Sequence, residues 1–290
     1  MSATATPTPR TATAPASAAT GAPRTRRRAA PGLRRAGLRV LALAVLLLAW
    51  QGAVWAELWP RVLVPSPGDV WEAVLRTSTV HDGVRGQSGH LLTEHLGASL
   101  RRIGIGTGYA VLAGVPLGLL IGTVRPLAVI LEPAVSFLRT LPPLAYLSLL
   151  VIWFGIDESP KIWLLVIAAC PPVAAATAAA VRTVPAQLLE AARALGATPA
   201  NLLLAVRLPS ALPEIMTGVR IATGIAYTSV VAAETVNGVP GIGGMIREAQ
   251  RYNQTDVVVV GILAIGLSGV LIDSALRALE RAAVPWRGRA

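Results

Sequence analysis

The 290 residues are 53% hydrophobic and only 14% charged, with a mean hydropathy of +0.60, which is more apolar than a soluble domain with a hydrated surface allows. A formal net charge of +11 would suit nucleic acid if the cations formed one face, but they sit in the N-terminal tail and in short segments between apolar runs, so lipid is the expected partner. The single cysteine, Cys170, excludes an internal disulfide, and His81, His90 and His95 lack the i, i+4 pairing of a helical zinc site, so no metal is expected.

In chain order, residues 1–36 are Ala, Thr, Pro and Ser with a cluster of arginines, a composition that reads as a disordered basic cytoplasmic tail. Val40 to Ala56 carries no charge and, with Leu58 and Trp59, can cross a hydrocarbon core of ~30 Å, giving a first span over 37–59. A cleaved signal peptide is the competing reading, but no clean small-x-small site follows. Residues 60–91 form an external segment in which 68–78 has the spacing of an amphipathic surface helix. Ile103 to Thr123 is the second span. Its Gly104-x-Gly106-x-Gly108 follows no strand and reads as close helix packing rather than a nucleotide loop.

The third span, Ala134 to Phe154, contains Arg139, Pro142 and Pro143, and the fourth, Ile162 to Val181, is interrupted by Pro171-Pro172. Prolines at membrane depth point to helices packed inside a bundle or along a pathway. The fifth span is Met216 to Glu234 and the sixth Val257 to Leu276, with a surface helix over Gly241 to Asn253 between them. The expected fold is therefore all-α, a membrane domain over 37–290 with about six spans and a core at 92–277. A cytoplasmic tail over 278–290 completes it, with both termini on the cytoplasmic side. Segments assigned to that side hold 16 cations and the external ones 8, as the positive-inside rule requires.

The longest inner segment after the tail, 182–212, has legible local chemistry. Pro185 suits a first helical turn, Glu190 to Leu195 continue it, and Gly196 is a natural left-handed stop. Thr198-Pro199 then supplies an N-cap and first residue for a second short helix, expected to end at Leu208-Pro209. The product is a helix-turn-helix over 185–209.

Glu190-Ala191-Ala192, three residues, Gly196, nine residues, Val206, one residue and Leu208-Pro209 resemble the EAA-x3-G-x9-I-x-LP loop of type-1 ABC importer permeases, with Val206 for Ile as the one departure. His95-Leu-x-x-Ser99-Leu, Leu141-Pro-Pro-Leu-Ala-Tyr146, Ile152-Trp-Phe-Gly-Ile156, Ala233-Glu234 and Val284-Pro-Trp-x-Gly288 look like the nitrate, sulfonate and taurine group, taurine permeases most of all. Ser148 stands where that group usually has Pro, and Ala176 where Asn commonly precedes Thr177.

The resemblance implies half of a transporter in the bacterial cytoplasmic membrane: a second permease copy, separate ABC ATPase subunits gripping the loop, and an extracytoplasmic solute-binding protein. It implies no cofactor bound by this chain and no catalysis by it, and the sequence has no G-x4-G-K-[ST] phosphate loop. The cargo would be a small anionic or zwitterionic solute of the taurine, aliphatic sulfonate or nitrate class.

Intramembrane charges are expensive, so Arg139 and Arg220, with the breaks at Pro142 and Pro143, are candidate pathway residues, snorkelling to headgroups being the alternative. Glu234, closing the fifth span, is expected at the outer surface, in contact with the binding protein or solvated. The rival to the ABC reading is an ion-coupled secondary transporter, which would place acidic residues near the bilayer midplane.

Overall fold

The computed structural model describes residues 31–81 and 83–286, so most of the expected N-terminal tail and the last four residues lie outside the described part. The described residues divide into two units, one up to residue 49 and the other from residue 50. The first holds most of α1 (Pro31–Trp55), which begins inside the stretch expected to be disordered.

In the second unit, α2 (Pro67–Ser78) starts with a capping box. Ser66 Oγ accepts from the Asp69 N–H at 3.1 Å and the Ser66 N–H donates to the Asp69 carboxylate at 2.8 Å. Val70 and Ala73 are buried against Ile242, Met245, Val257 and Val260. A hairpin of two-residue strands, β1 (Val80–His81) and β2 (Val84–Arg85), follows and is the one departure from an all-α chain among the described residues.

The core is built by α3 (Leu92–Thr123), α6 (Glu158–Arg182) and α9 (Leu208–Asn237), whose buried residues include Ile103, Leu165, Val173, Ile215 and Ala226. Helices α3 and α6 approach closely enough that a Cβ on Gly114 would lie 2.9 Å from the Cys170 carbonyl and from the Val173 side chain. Small residues at such contacts let backbones pack where lipid offers no hydrophobic drive.

Of three expectations that rest on proline, the break at Pro142-Pro143 holds and the other two are corrected. The third span is two helices, α4 (Arg125–Thr140) and α5 (Pro143–Phe154), bent by 98°. Leu141 and Pro142 each precede a proline and are driven to extended backbone, ψ 125° and 131°. The Pro171-Pro172 pair does not interrupt α6, which buries residues on both sides of it. Nor does Leu208-Pro209 end the second helix of the inner loop. A short α8 (Pro199–Asn201), a π-turn over Leu202–Arg207 and α9 form one apolar run from Pro199 to Val236. In the π-turn the Leu208 N–H reaches back to the Leu203 carbonyl, a wider turn that accommodates the Pro209 ring.

Beyond α9 lie α10 (Ile242–Arg251) and α11 (Thr255–Ala283), the latter continuing past the expected end at Leu276. Among the described residues five helices are long and apolar enough to cross a membrane, six if the bent α4–α5 pair counts as one. At ~1.5 Å per residue α9 alone spans ~45 Å, so α7 (Ala186–Ala194), just before it, and α10, just after it, occupy opposite ends of the bundle.

Candidate functional site

At one end, α7 buries none of its residues. Glu190 and Ala191 are exposed, Ala192 is half-buried, and Leu195 just past the helix is 89% exposed. The turn is held by backbone bonds alone. The Gly196 N–H donates to the Arg193 carbonyl at 2.9 Å and the Ala197 N–H to the Ala192 carbonyl at 3.0 Å, a Schellman cap. Gly196 has φ +81° with nothing within 4 Å of the place a Cβ would take, so conformation and not space demands glycine there. Thr198 Oγ1 accepts from the Asn201 N–H at 3.3 Å and starts the return helix. Val206, Leu208 and Pro209 are half-buried at the root of this hairpin, and Leu189 and Leu208 pack on the main core. The seven loop residues thus divide into an exposed tip, Glu190 to Gly196, and an anchored root.

Arg139 and Arg220 are not brought together. Arg139 is exposed in the last turn of α4, beside the Pro142-Pro143 bend, and makes no ion pair among the described residues. Arg220 joins α9 to α11: its guanidinium donates to Asp273 Oδ1 at 2.9 and 3.1 Å and to Glu280 Oε2 at 3.3 Å, while Arg277 pairs with Asp273 at 2.6 Å. With Arg277, Arg281 and Val284 it borders a cavity of about 540 Å³. This guanidinium is tied to carboxylates of α11.

Glu234 requires a larger correction. It is fully buried, not exposed at an outer surface. Arg102 donates through Nη1 to Glu234 Oε1 at 2.6 Å, Ser99 Oγ donates at 2.8 Å, and the Gly243 N–H donates to Oε2 at 3.0 Å. The other edge of the Arg102 guanidinium makes a two-bonded fork with Glu158 at 2.7 Å, and Lys161 reaches Glu158 at 2.8 Å. Ser99 Oγ also accepts from the Ile242 N–H at 3.0 Å, and the Gly241 N–H donates to His95 Nδ1 at 3.0 Å. One network therefore ties α3, α6 and α9 to the first turn of α10. A carboxylate at the end of an apolar run is affordable in a low-dielectric site only when paired and hydrogen-bonded throughout.

Arg102, Glu158 and Lys161 are functional candidates that sequence reasoning missed. The available signal was the i, i+4, i+7 spacing of His95, Ser99 and Arg102, which puts three polar groups on one helix face beside an apolar run.

Residues 114–284, more than half of the chain, match the family described as the binding-protein-dependent transport system inner membrane component. The taurine transport system permease protein TauC of Escherichia coli is 40% identical over 258 residues, covering 89% of this chain and 92% of that protein. The putative aliphatic sulfonates transport permease protein SsuC of Bacillus subtilis is 34% identical over 259 residues, covering 89% of this chain and 91% of the relative. Among solved structures, an inward-facing form of the MetNI methionine ABC transporter covers 66% of this chain and 95% of the solved chain with a TM-score of 0.59 at 24% identity, a likeness of fold. The chain belongs to the binding-protein-dependent transport system inner membrane components, a family of multi-pass ABC permeases.

Proposed function

We propose that the chain is the pathway-forming permease of an ATP-driven importer for a small anionic or zwitterionic solute of the taurine, aliphatic sulfonate or nitrate class. Two copies would form the pathway in the cytoplasmic membrane, with the α7 end and both termini inside. Separate ATPase subunits would take the α7 hairpin, and an extracytoplasmic binding protein would deliver the solute at the α10 end. The observation that carries this reading is the uncovered α7 hairpin, whose return strand is the start of a helix running the length of the bundle. A nine-residue helix with no fully buried residue, anchored to the core through Leu189, is marginal alone and gains stability when a partner covers it. Motion of the tip is then transmitted through α8 and α9 as a lever. Similarity to the taurine and aliphatic sulfonate permeases supports the solute class.

An ion-coupled carrier would need a carboxylate free to gain and lose a cation. The two buried carboxylates among the described residues are both engaged, Glu234 by a guanidinium, a hydroxyl and a backbone N–H and Glu280 by Arg220. Uptake of radiolabelled taurine into proteoliposomes holding the permease, its ATPase and its binding protein tests the proposal. Uptake should require internal ATP and survive collapse of ion gradients by ionophores; uptake abolished by ionophores with ATP present would contradict it.

A further inference from the structure

Beside the Glu234 network lies a second cavity, of about 330 Å³, walled by Leu147, Val151, Pro160 and Ala233 and carrying two ionisable groups, Asp157 and Lys161. The volume is at the small end of ligand pockets, and an apolar wall with a few placed polar groups is their usual make-up. Lys161 is itself unusual, with its side chain only 8% exposed. One ammonium N–H goes to Glu158 at 2.8 Å, leaving two donors for another acceptor. Asp157 is the N-cap of α6, where an aspartate normally accepts from the first-turn N–H groups, yet its carboxylate makes no such bond and no ion pair among the described residues. Asp157, the extended N-cap, and Lys161, in the first turns of α6, line the same cavity.

We propose that this cavity is a binding site for a short zwitterion, an ammonium joined through two or three carbons to a sulfonate-type anion, with Lys161 taking the anion and Asp157 the ammonium. The apolar wall covers the connecting methylenes. A solute bearing only a negative charge would use Lys161 and leave Asp157 facing it unpaired, so the pair selects for the amine. The site deepens the solute class proposed above and rests on it. Lys161 is positioned by Glu158, which Arg102 holds together with Glu234, the residue after Ala233 in the cavity wall, so occupancy and the network share a scaffold.

The test uses membrane vesicles containing the full complex with Cys170→Ala and Val151→Cys, so that the cavity carries the one cysteine of this chain. Taurine should protect that cysteine from a maleimide, and isethionate, in which a hydroxyl replaces the amine, should need about tenfold more to do so. Adding Asp157→Asn, a change at an exposed and unpaired side chain, should erase that difference. Absence of protection by taurine, or an unchanged taurine-to-isethionate ratio in Asp157→Asn, would overturn the site. Protection without taurine uptake in the proteoliposome assay would uphold the site and refute the proposed transport role instead.

Discussion

The two ends of this bundle solve opposite problems. At the α10 end the two buried charges at the centre of the network, Glu234 and Arg102, are answered inside the chain, by each other, Ser99, Glu158 and the Gly243 N–H. At the α7 end the apolar and acidic tip is left unanswered, with Leu195 almost fully exposed and Glu190 in solvent. A closed network rigidifies the elements it joins, whereas an open hairpin on a stiff backbone cap offers itself to something else. Substitutions at the first end should therefore damage the permease itself, and those at the second should spare it and damage assembly.

The largest effect is expected at Glu234. Glu234→Ala leaves the Arg102 guanidinium buried with one partner fewer, a change that costs about 3–5 kcal/mol in buried pairs, so the purified permease should lose most of its thermal stability. A Glu234→Ala protein that melts with wild type would remove the network from the account. Gly114→Val comes next. Its side chain would press on the Cys170 carbonyl and Val173, and overpacking of this kind costs about 1–3 kcal/mol, read as a lower melting temperature in detergent. The contrasting change, Leu195→Glu, should leave melting within about 0.5 kcal/mol of wild type, as exposed substitutions do, while weakening ATPase binding about tenfold or more in a pull-down. Equal loss of stability and of ATPase binding would blur the distinction between the ends.

The smallest effect concerns the cap of α2. Ser66→Ala removes the hydroxyl of the capping box and should cost about 1 kcal/mol of local stability, visible as faster amide exchange over 67–78. The Ser66 backbone N–H holds the Asp69 carboxyl below its ordinary 3.8. A depressed carboxyl stabilises above the unfolded value and loses that contribution as the proton returns, so the protection factors of the α2 amides, exchange rates taken relative to the unfolded chain at the same pH, should fall as pH drops below about 3.8. Loss of protection that begins near neutral pH would point to another group.

Much of this was visible in the chain itself. Charge-free runs mark the spans because lipid tolerates few charges, and the α7 hairpin is legible because caps and left-handed turns are decided within a few residues, as at Thr198 and Gly196. What escaped was decided by distant contacts. Pro171-Pro172 lies within a helix that packing holds together, and Pro209 follows a π-turn, whereas Pro142-Pro143 breaks the chain by 98°. Proline alone does not distinguish these outcomes. Glu234 looked like an exposed span end because its partner Arg102 lies 132 residues away, beyond any local pattern.

A rigid α7 lever between ATP hydrolysis and the pathway is challenged most severely by Gly196→Val. A β-branched residue at φ +81° is strained by backbone conformation alone, since no neighbouring atom lies within 4 Å of its Cβ position. In the reconstituted full complex this variant is expected to assemble, and its ATPase activity should no longer rise when loaded binding protein is added. Wild-type stimulation of the ATPase in Gly196→Val would contradict the lever.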